Sequence, residues 1–401
     1  MSPRTVRWGL LAMGALAYAC LLFVWFSVAA FLAPISAELG LSSSEAGLLT
    51  GIIPLAYVPV SLFSGAVTDR IGPYRAIGGG LALFGAAQAA RAGVTTFPAM
   101  LALTVVVGVG GTAITFGLPK LVARLFPAGS AGTPSTVYVL GSLAGTAAAF
   151  SLGRGVLGPM LGGWRPVFWT TGLAVLGYAA VWAVAAWLAP TAALRVGEAA
   201  DESLSLASLR TDVAAVFGSR SMRLLLVVGA TYLLVVHGLQ NWLTAVLTHR
   251  GVAAGVASTV ASGFVAARAV GILVVPPLSD RLGRRGGAVA ACSAACALGT
   301  GALVVGGLPF AVAVAGVTLA GVGVGGLSPL VRIVPPELDD VGPELTGTAV
   351  GLIFAVGEFG GFLGPFLVGG LFDLTGSYAP GLAVISAGCV AAIVAGRRLP
   401  V

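Results

Sequence analysis

The sequence predicts an all-α integral membrane protein of twelve helices arranged as two six-helix halves. Three observations predict it. Hydrophobic residues make up 58% of the 401 and charged residues only 9%, with a mean hydropathy of +1.02, whereas about a quarter of a soluble domain is charged. Runs of about 20 apolar residues recur between Trp8 and Arg398, the length that a helix rising about 1.5 Å per residue needs to cross about 30 Å of hydrocarbon. An offset of 211 then lays the chain on itself, placing Asp69-Arg70 on Asp280-Arg281, Gly40 on Gly251 and Leu32 on Leu243.

Segment one, 8–33, follows Arg4 and Arg7 as a signal peptide would follow its basic start. It is too long for one, lacks a small-residue cleavage site and is followed by eleven more segments. Segments two (45–67) and three (76–94) are joined by an Asp-Arg turn. Segment four (98–119) carries Gly108, Gly110 and Gly111, and segment ten (309–331) carries Gly321, Gly323, Gly325 and Gly326; small residues let membrane helices pack closely. Segment five (134–158) runs into Gly158-Pro159, and segment six (166–189) follows Gly163-Trp164-Arg165. Segments seven (224–247), eight (255–278), nine (287–306), eleven (346–370) and twelve (379–396) complete the second half. Cys292 and Cys296 share a face of segment nine, where no neighbouring His or acid completes a metal site, so packing is the expected role. Residues 191–223 are hydrophilic and form the expected linker between domains 1–190 and 224–401, with Leu204, Leu206 and Leu209 suggesting a short surface helix.

The net charge of +7 is explained by its distribution, not by nucleic acid. If the N-terminus is cytoplasmic, inside segments hold sixteen of the 21 Lys and Arg, while outside loops hold only Arg91, Arg165 and Arg250. The positive-inside rule then places both termini in the cytoplasm of an inner (plasma) membrane protein. There is no Walker loop, no Gly-x-Ser-x-Gly and no paired His at metal spacing. Neither an enzyme nor an ATP-driven pump is expected, and no cofactor is implied.

Three ionisable side chains fall near the centres of their segments: His237 in seven, Arg268 in eight and Glu358 in eleven. Such residues cost at least about 2.5–3.5 kcal/mol at that depth for Arg or Asp, so they normally face a cavity or one another. Gln240, Asn241 and Thr244 lie beside His237 at i+3, i+4 and i+7. A guanidinium offers a fixed fork to an oxyanion, and a carboxylate in low dielectric exchanges protons near neutral pH. Arg268 is therefore the candidate substrate ligand and Glu358 the candidate proton site. A permanent Arg268–Glu358 ion pair is the structural alternative. His237 is either a proton gate or a hydrogen-bonding group within the bundle.

The turn Gly65-Ala-Val-Thr-Asp69-Arg70-Ile-Gly72-Pro-Tyr-Arg75, echoed by Pro276-Pro-Leu-Ser-Asp280-Arg281-Leu-Gly283-Arg284-Arg285, resembles the loop signature of the major facilitator superfamily. The resemblance implies two pseudo-symmetric bundles with a site between them, worked by rocking alternating access. It also implies that Asp69, Arg70, Gly72 and Arg75 form a conformational latch, with Asp280 and Arg281 as the second copy. Gly145, Arg154, Gly158 and Pro159 resemble the helix-five motif of that family's proton-driven antiporters, with Arg154 in place of a glycine. The segment Leu118–Pro127 and the Gly-Trp-Arg turn are similar to cyanate, nitroimidazole and nitrate/nitrite permeases. Nitrate porters carry an Arg in helix two, where this sequence has Tyr57 opposite Arg268 in the repeat. The expectation is a monomeric secondary transporter of a small anion, organic or inorganic, coupled to protons, with Arg268, His237, Gln240, Asn241 and Tyr57 at the substrate. The alternative is a proton-coupled multidrug or metabolite efflux antiporter.

Overall fold

The computed structural model describes residues 3–127, 132–188, 213–339, 341 and 345–401. Among them no strand occurs, and each expected segment is a helix. The helices are α1 (Pro3–Ala30), α2 (Leu32–Leu39), α3 (Ser43–Ile71), α4 (Pro73–Arg91), α5 (Phe97–Leu125), α6 (Gly132–Ala148), α7 (Gly158–Leu161), α8 (Trp164–Leu188), α9 (Arg220–His249), α10 (Ala254–Leu282), α11 (Arg285–Val304), α12 (Phe310–Ile333), α13 (Thr346–Thr375) and α14 (Ala379–Arg398). Ten helical stretches among the described residues are long and apolar enough to cross a membrane, and the protein is membrane-embedded. The helices α3 and α4 are not among the ten; α4 is diluted by Arg75, three consecutive glycines, Gln88 and Arg91. The expected surface helix at Leu204, Leu206 and Leu209 lies outside the described residues.

Several boundaries have local causes. Segment one ends at Ala30 because Pro34 lacks an N–H and its ring crowds the carbonyl four residues back. The chain restarts as α2 and stops at Gly40, left-handed at φ 64°, a conformation a side chain disfavours. Its repeat partner Gly251 is likewise left-handed at φ 84°, as are the pair Gly72 and Gly283 at 82° and 57°. Segment four runs past its expected end to Leu125, because a single proline, Pro119, does not end the helix. Segment five contains a π-helical stretch, Ala149–Leu157, in which Gly158 donates to the Gly153 carbonyl five residues back. Pro159 follows directly and removes the next donor, so the expected Gly-Pro kink takes the form of a widened turn.

The chain forms two compact units, Met1–Gly40 with Ala56–Glu202, and Leu41–Leu55 with Ser203–Val401. In the first, a side chain on Gly80 would meet the Gly110 carbonyl at 2.6 Å, so α4 and α5 approach backbone to backbone. Gly141 and Gly145 bring α6 equally close to Ala15 and Ala19 of α1. In the second, Gly323 sits against the Cys292 carbonyl and the Cys296 thiol, giving both cysteines a packing role between α11 and α12. Gly364 lies against the Leu234 carbonyl and Gly238, which draws α13 onto α9.

Arg91 corrects the reading of the loops. It is the last residue of α4 and is fully buried, not exposed in an outside turn.

Candidate functional site

Among the described residues, α9 of the second unit carries buried polar side chains near its middle. On α9, His237 is 5% exposed, Gln240 0% and Asn241 2%, and their spacing places them with Thr244 along one face. Both polar atoms of the Gln240 amide, Nδ2 of Asn241 and Oγ1 of Thr244 are buried without a protein partner. An unsatisfied buried polar group costs about 1–3 kcal/mol, so native chains keep few of them without a functional reason. Nε of Arg268 on α10 and Oε2 of Glu358 on α13 share that condition.

Glycine assembles the cluster. A Cβ at Gly361 would lie 2.8 Å from Cδ2 of His237, 3.5 Å from Oε2 of Glu358 and 3.3 Å from Cβ of Pro54. The imidazole and the carboxylate thus converge over a position that only a missing side chain leaves open. The α9–α13 contact at Gly364 fixes that approach, and the Trp242 indole donates to the Pro365 carbonyl at 2.9 Å. Arg268 lies close enough to His237 and Tyr232 for its charge to act on both, and Tyr232 is itself 5% exposed. Its backbone is pressed against Gly325 of α12, so the glycine cluster of segment ten positions the guanidinium. No ion pair joins Arg268 to Glu358 among the described residues. This arrangement lets a cation meet an anionic group while a carboxylate beside an imidazole takes up or releases a proton.

Other expected site residues are placed elsewhere. Tyr57, in the first unit, shares a hydrogen bond with Thr115 at 3.2 Å and packs on Trp25 at 5.2 Å. Asp69 receives Lys120 at 2.5 Å, so its partner is a side chain of α5. Arg124 lies over Gly72, while Arg70 and Arg75 are exposed. Asp280 pairs with Arg285, which also grips Glu337 at 3.0 Å and Ser279 at 3.2 Å, and Arg281 is exposed. Arg154, in the π-helical turn, stacks over Phe31 at 5.3 Å, with Gly158 against the same ring.

Sequence reasoning missed two acids. Glu38 accepts from the Trp164 indole and from Nε of Arg165, both at 2.6 Å, and Arg165 reaches the Ala92 carbonyl at 2.7 Å. The Arg165 hydrogen bond holds the Glu38 carboxyl below the usual carboxylate range. The Gly-Trp-Arg turn is thus a clamp joining α2, α4 and α8. Asp373 accepts from the backbone N–H groups of Ser43 and Ser44 at 2.9 and 2.7 Å and from the Ser44 hydroxyl at 2.6 Å. It caps α3 from a distant part of the chain, and the hydrophilic end of segment eleven was its only sequence signal.

Residues 14–365 and 241–400 match the profile of the Major Facilitator Superfamily. The chain belongs to that family. Among the transporters it resembles is the 3-(3-hydroxy-phenyl)propionate transporter of Escherichia coli, 30% identical across 86% of this chain and 83% of that protein. A chloramphenicol resistance protein of Streptomyces lividans is 30% identical, but over 38% of each chain. In fold, the chain resembles a bacterial homologue of the human lysosomal transporter Spinster, solved inward-facing and unoccupied. Identity is 18%, coverage 98% of this chain and 95% of that one, and the TM-score 0.76. As a member of this transporter family, the protein has a small molecule as its expected substrate class.

Proposed function

We propose that this transporter moves a small organic anion, a carboxylate, together with protons by alternating access. The observation that carries this reading is a partly buried Arg268 without a carboxylate partner among the described residues, in the same unit as buried and unpaired polar groups on Gln240, Asn241 and Thr244. A carboxylate accepts from the guanidinium fork, and a second polar group on the substrate satisfies the α9 amides. The name of the Escherichia coli relative, which describes an aromatic carboxylate bearing a hydroxyl, supports the same class. Glu358 is the proton site, with His237 as its neighbour. Tyr57 is a further substrate residue, and Asp69, Arg70, Gly72, Arg75, Asp280, Arg281, Arg154, Gly158 and Pro159 serve conformational change. The protein works as a monomer in the plasma membrane with both termini cytoplasmic and with domains 1–190 and 224–401 joined by 191–223.

In proteoliposomes, an inward proton gradient should drive accumulation of hydroxyphenylpropionate. Arg268→Ala should abolish uptake, and Glu358→Gln should abolish gradient-driven accumulation while preserving exchange of internal for external substrate. Uptake that survives in Arg268→Ala would reject the reading. The second reading, proton-coupled efflux, is favoured by the Gly145 to Pro159 motif with its π-helical turn and by the partial likeness to a resistance protein. It predicts that lipophilic drugs, not carboxylates, are moved by a proton gradient in the same vesicles.

A further inference from the structure

The first unit carries two arginines that the transport reading does not use. Arg4, Arg7 and Trp8 of α1 line a cavity of about 420 Å³ together with Phe126 and Pro127 at the end of α5 and Pro134 of α6. Arg4 and Thr133, which also lines it, are exposed, so the cavity opens at the surface of the unit. No carboxylate pairs with Arg4 or Arg7 among the described residues, and Nε of Arg7 is buried without a protein partner. Lys120, earlier on α5, differs in being neutralised by Asp69. Most of the remaining lining is aromatic or apolar. Trp8, 37% exposed, packs edge-on against Phe126 at 5.2 Å.

A cavity that joins two guanidiniums to an aromatic and proline surface fits an amphiphile with a phosphate at its polar end. A guanidinium fork meets phosphate oxygens in parallel hydrogen bonds, and a tryptophan ring favours the headgroup level of a bilayer. We propose that this cavity binds the headgroup of an anionic phospholipid such as phosphatidylglycerol, its phosphodiester between Arg4 and Arg7 and its glycerol backbone against Trp8 and Phe126. A free phosphate ion would leave the aromatic part of the cavity against water, and a zwitterionic headgroup would bring its ammonium to two cations that repel it. The protein is membrane-embedded, so the lipid is always at hand and its acyl tails stay in the bilayer. The bound lipid ties the start of α1 to the end of α5 and the start of α6, and it is separate from the substrate ligand Arg268.

The test is the apparent melting temperature of the purified full chain in detergent micelles as dioleoyl phosphatidylglycerol is added, since a ligand of the native state raises the midpoint saturably. Wild type should show a saturable rise with phosphatidylglycerol, a smaller one with dioleoyl phosphatidylcholine and none with soluble glycerol phosphate at equal concentration. The doubly substituted Arg4→Gln/Arg7→Gln chain should lose the difference between the two lipids. Arg4 is exposed, so Arg4→Gln alone leaves the packing intact. It should raise the half-saturating phosphatidylglycerol concentration about fivefold, the weight of one cation near an anionic surface. Should the double variant fail to fold, that single variant and the wild-type lipid selectivity decide the matter. Equal stabilisation by the two lipids, an unchanged response in Arg4→Gln, or glycerol phosphate matching phosphatidylglycerol, which would make this a site for free phosphate esters, overturns the proposal.

Discussion

In the second unit, α9 presents His237, Gln240, Asn241 and Thr244; at the offset of 211 the first unit has Phe26, Ala29, Ala30 and Ala33, and Tyr57 in place of Arg268. The reverse also holds. Ser27, Gln88, Arg91 and Thr171 of the first unit correspond to Gly238, Gly299, Ala302 and Leu382 of the second. Each unit thus buries polarity where its counterpart has small or apolar residues. The repeat preserves what shapes the helices, such as the left-handed glycines Gly40 and Gly251, and not what does chemistry. A duplicated scaffold tolerates this because close helix packing depends on glycine positions, whereas an intramembrane charge is costly and need not be carried in both copies.

The comparison breaks most readily at Arg268 against Tyr57. Removing one partner of a hydrogen-bonded charge pair that becomes buried on binding costs about 2–5 kcal/mol, so Arg268→Ala should weaken carboxylate binding by roughly 30-fold or more. Tyr57→Phe removes one hydroxyl and should change binding by about 0.5–1.5 kcal/mol at most. Isothermal titration of both variants measures the difference. A larger effect at Tyr57 would shift the anion site to the first unit.

Gly361→Ala comes next. Its methyl would crowd His237 at 2.8 Å, and overpacking costs about 1–3 kcal/mol. Thermal unfolding should show that loss, and proton-driven uptake should fall further than exchange, because the imidazole and the Glu358 carboxylate are pushed apart.

Asp373→Ala should destabilise the second unit by about 0.5–2 kcal/mol, the range for losing a helix cap. It should also speed hydrogen exchange in the first turn of α3 while leaving α4 and α5 unchanged.

The smallest effect is expected at Glu38→Gln, and it sharpens the contrast through pH. The folded carboxyl is held below its usual value by Arg165. Its contribution is therefore present above the unfolded pKa, about 4.3, and lost as pH falls through the lower folded value. The stability gap between wild type and the variant should exist at pH 7 and close in acid below about pH 4; a gap that widens in acid would contradict the clamp.

The fold was legible because hydrophobic length and charge asymmetry are imposed by the bilayer on every segment. His237, Arg268 and Glu358 were legible for the same reason, since an ionisable group in an apolar run is conspicuous. Arg91 was not, because it stands at a segment end beside Gly93, where sequence gives the same signal as an exposed turn. Asp373 and Glu38 also lie at segment ends, and their partners Ser43 and Arg165 are distant in sequence, so only the folded chain brings them together. The widened turn before Pro159 was signalled by the proline as a kink, but its π-helical form, with Gly158 donating to the carbonyl of Gly153, has no separate signal in the residue pattern.

The central claim is that a carboxylate is met by Arg268 of the second unit and not by the buried cation of the first. Thermal stabilisation of wild type, Arg268→Ala and Arg91→Met by hydroxyphenylpropionate tests it most directly. The account predicts stabilisation of wild type and Arg91→Met, with none in Arg268→Ala. Stabilisation retained in Arg268→Ala would contradict it.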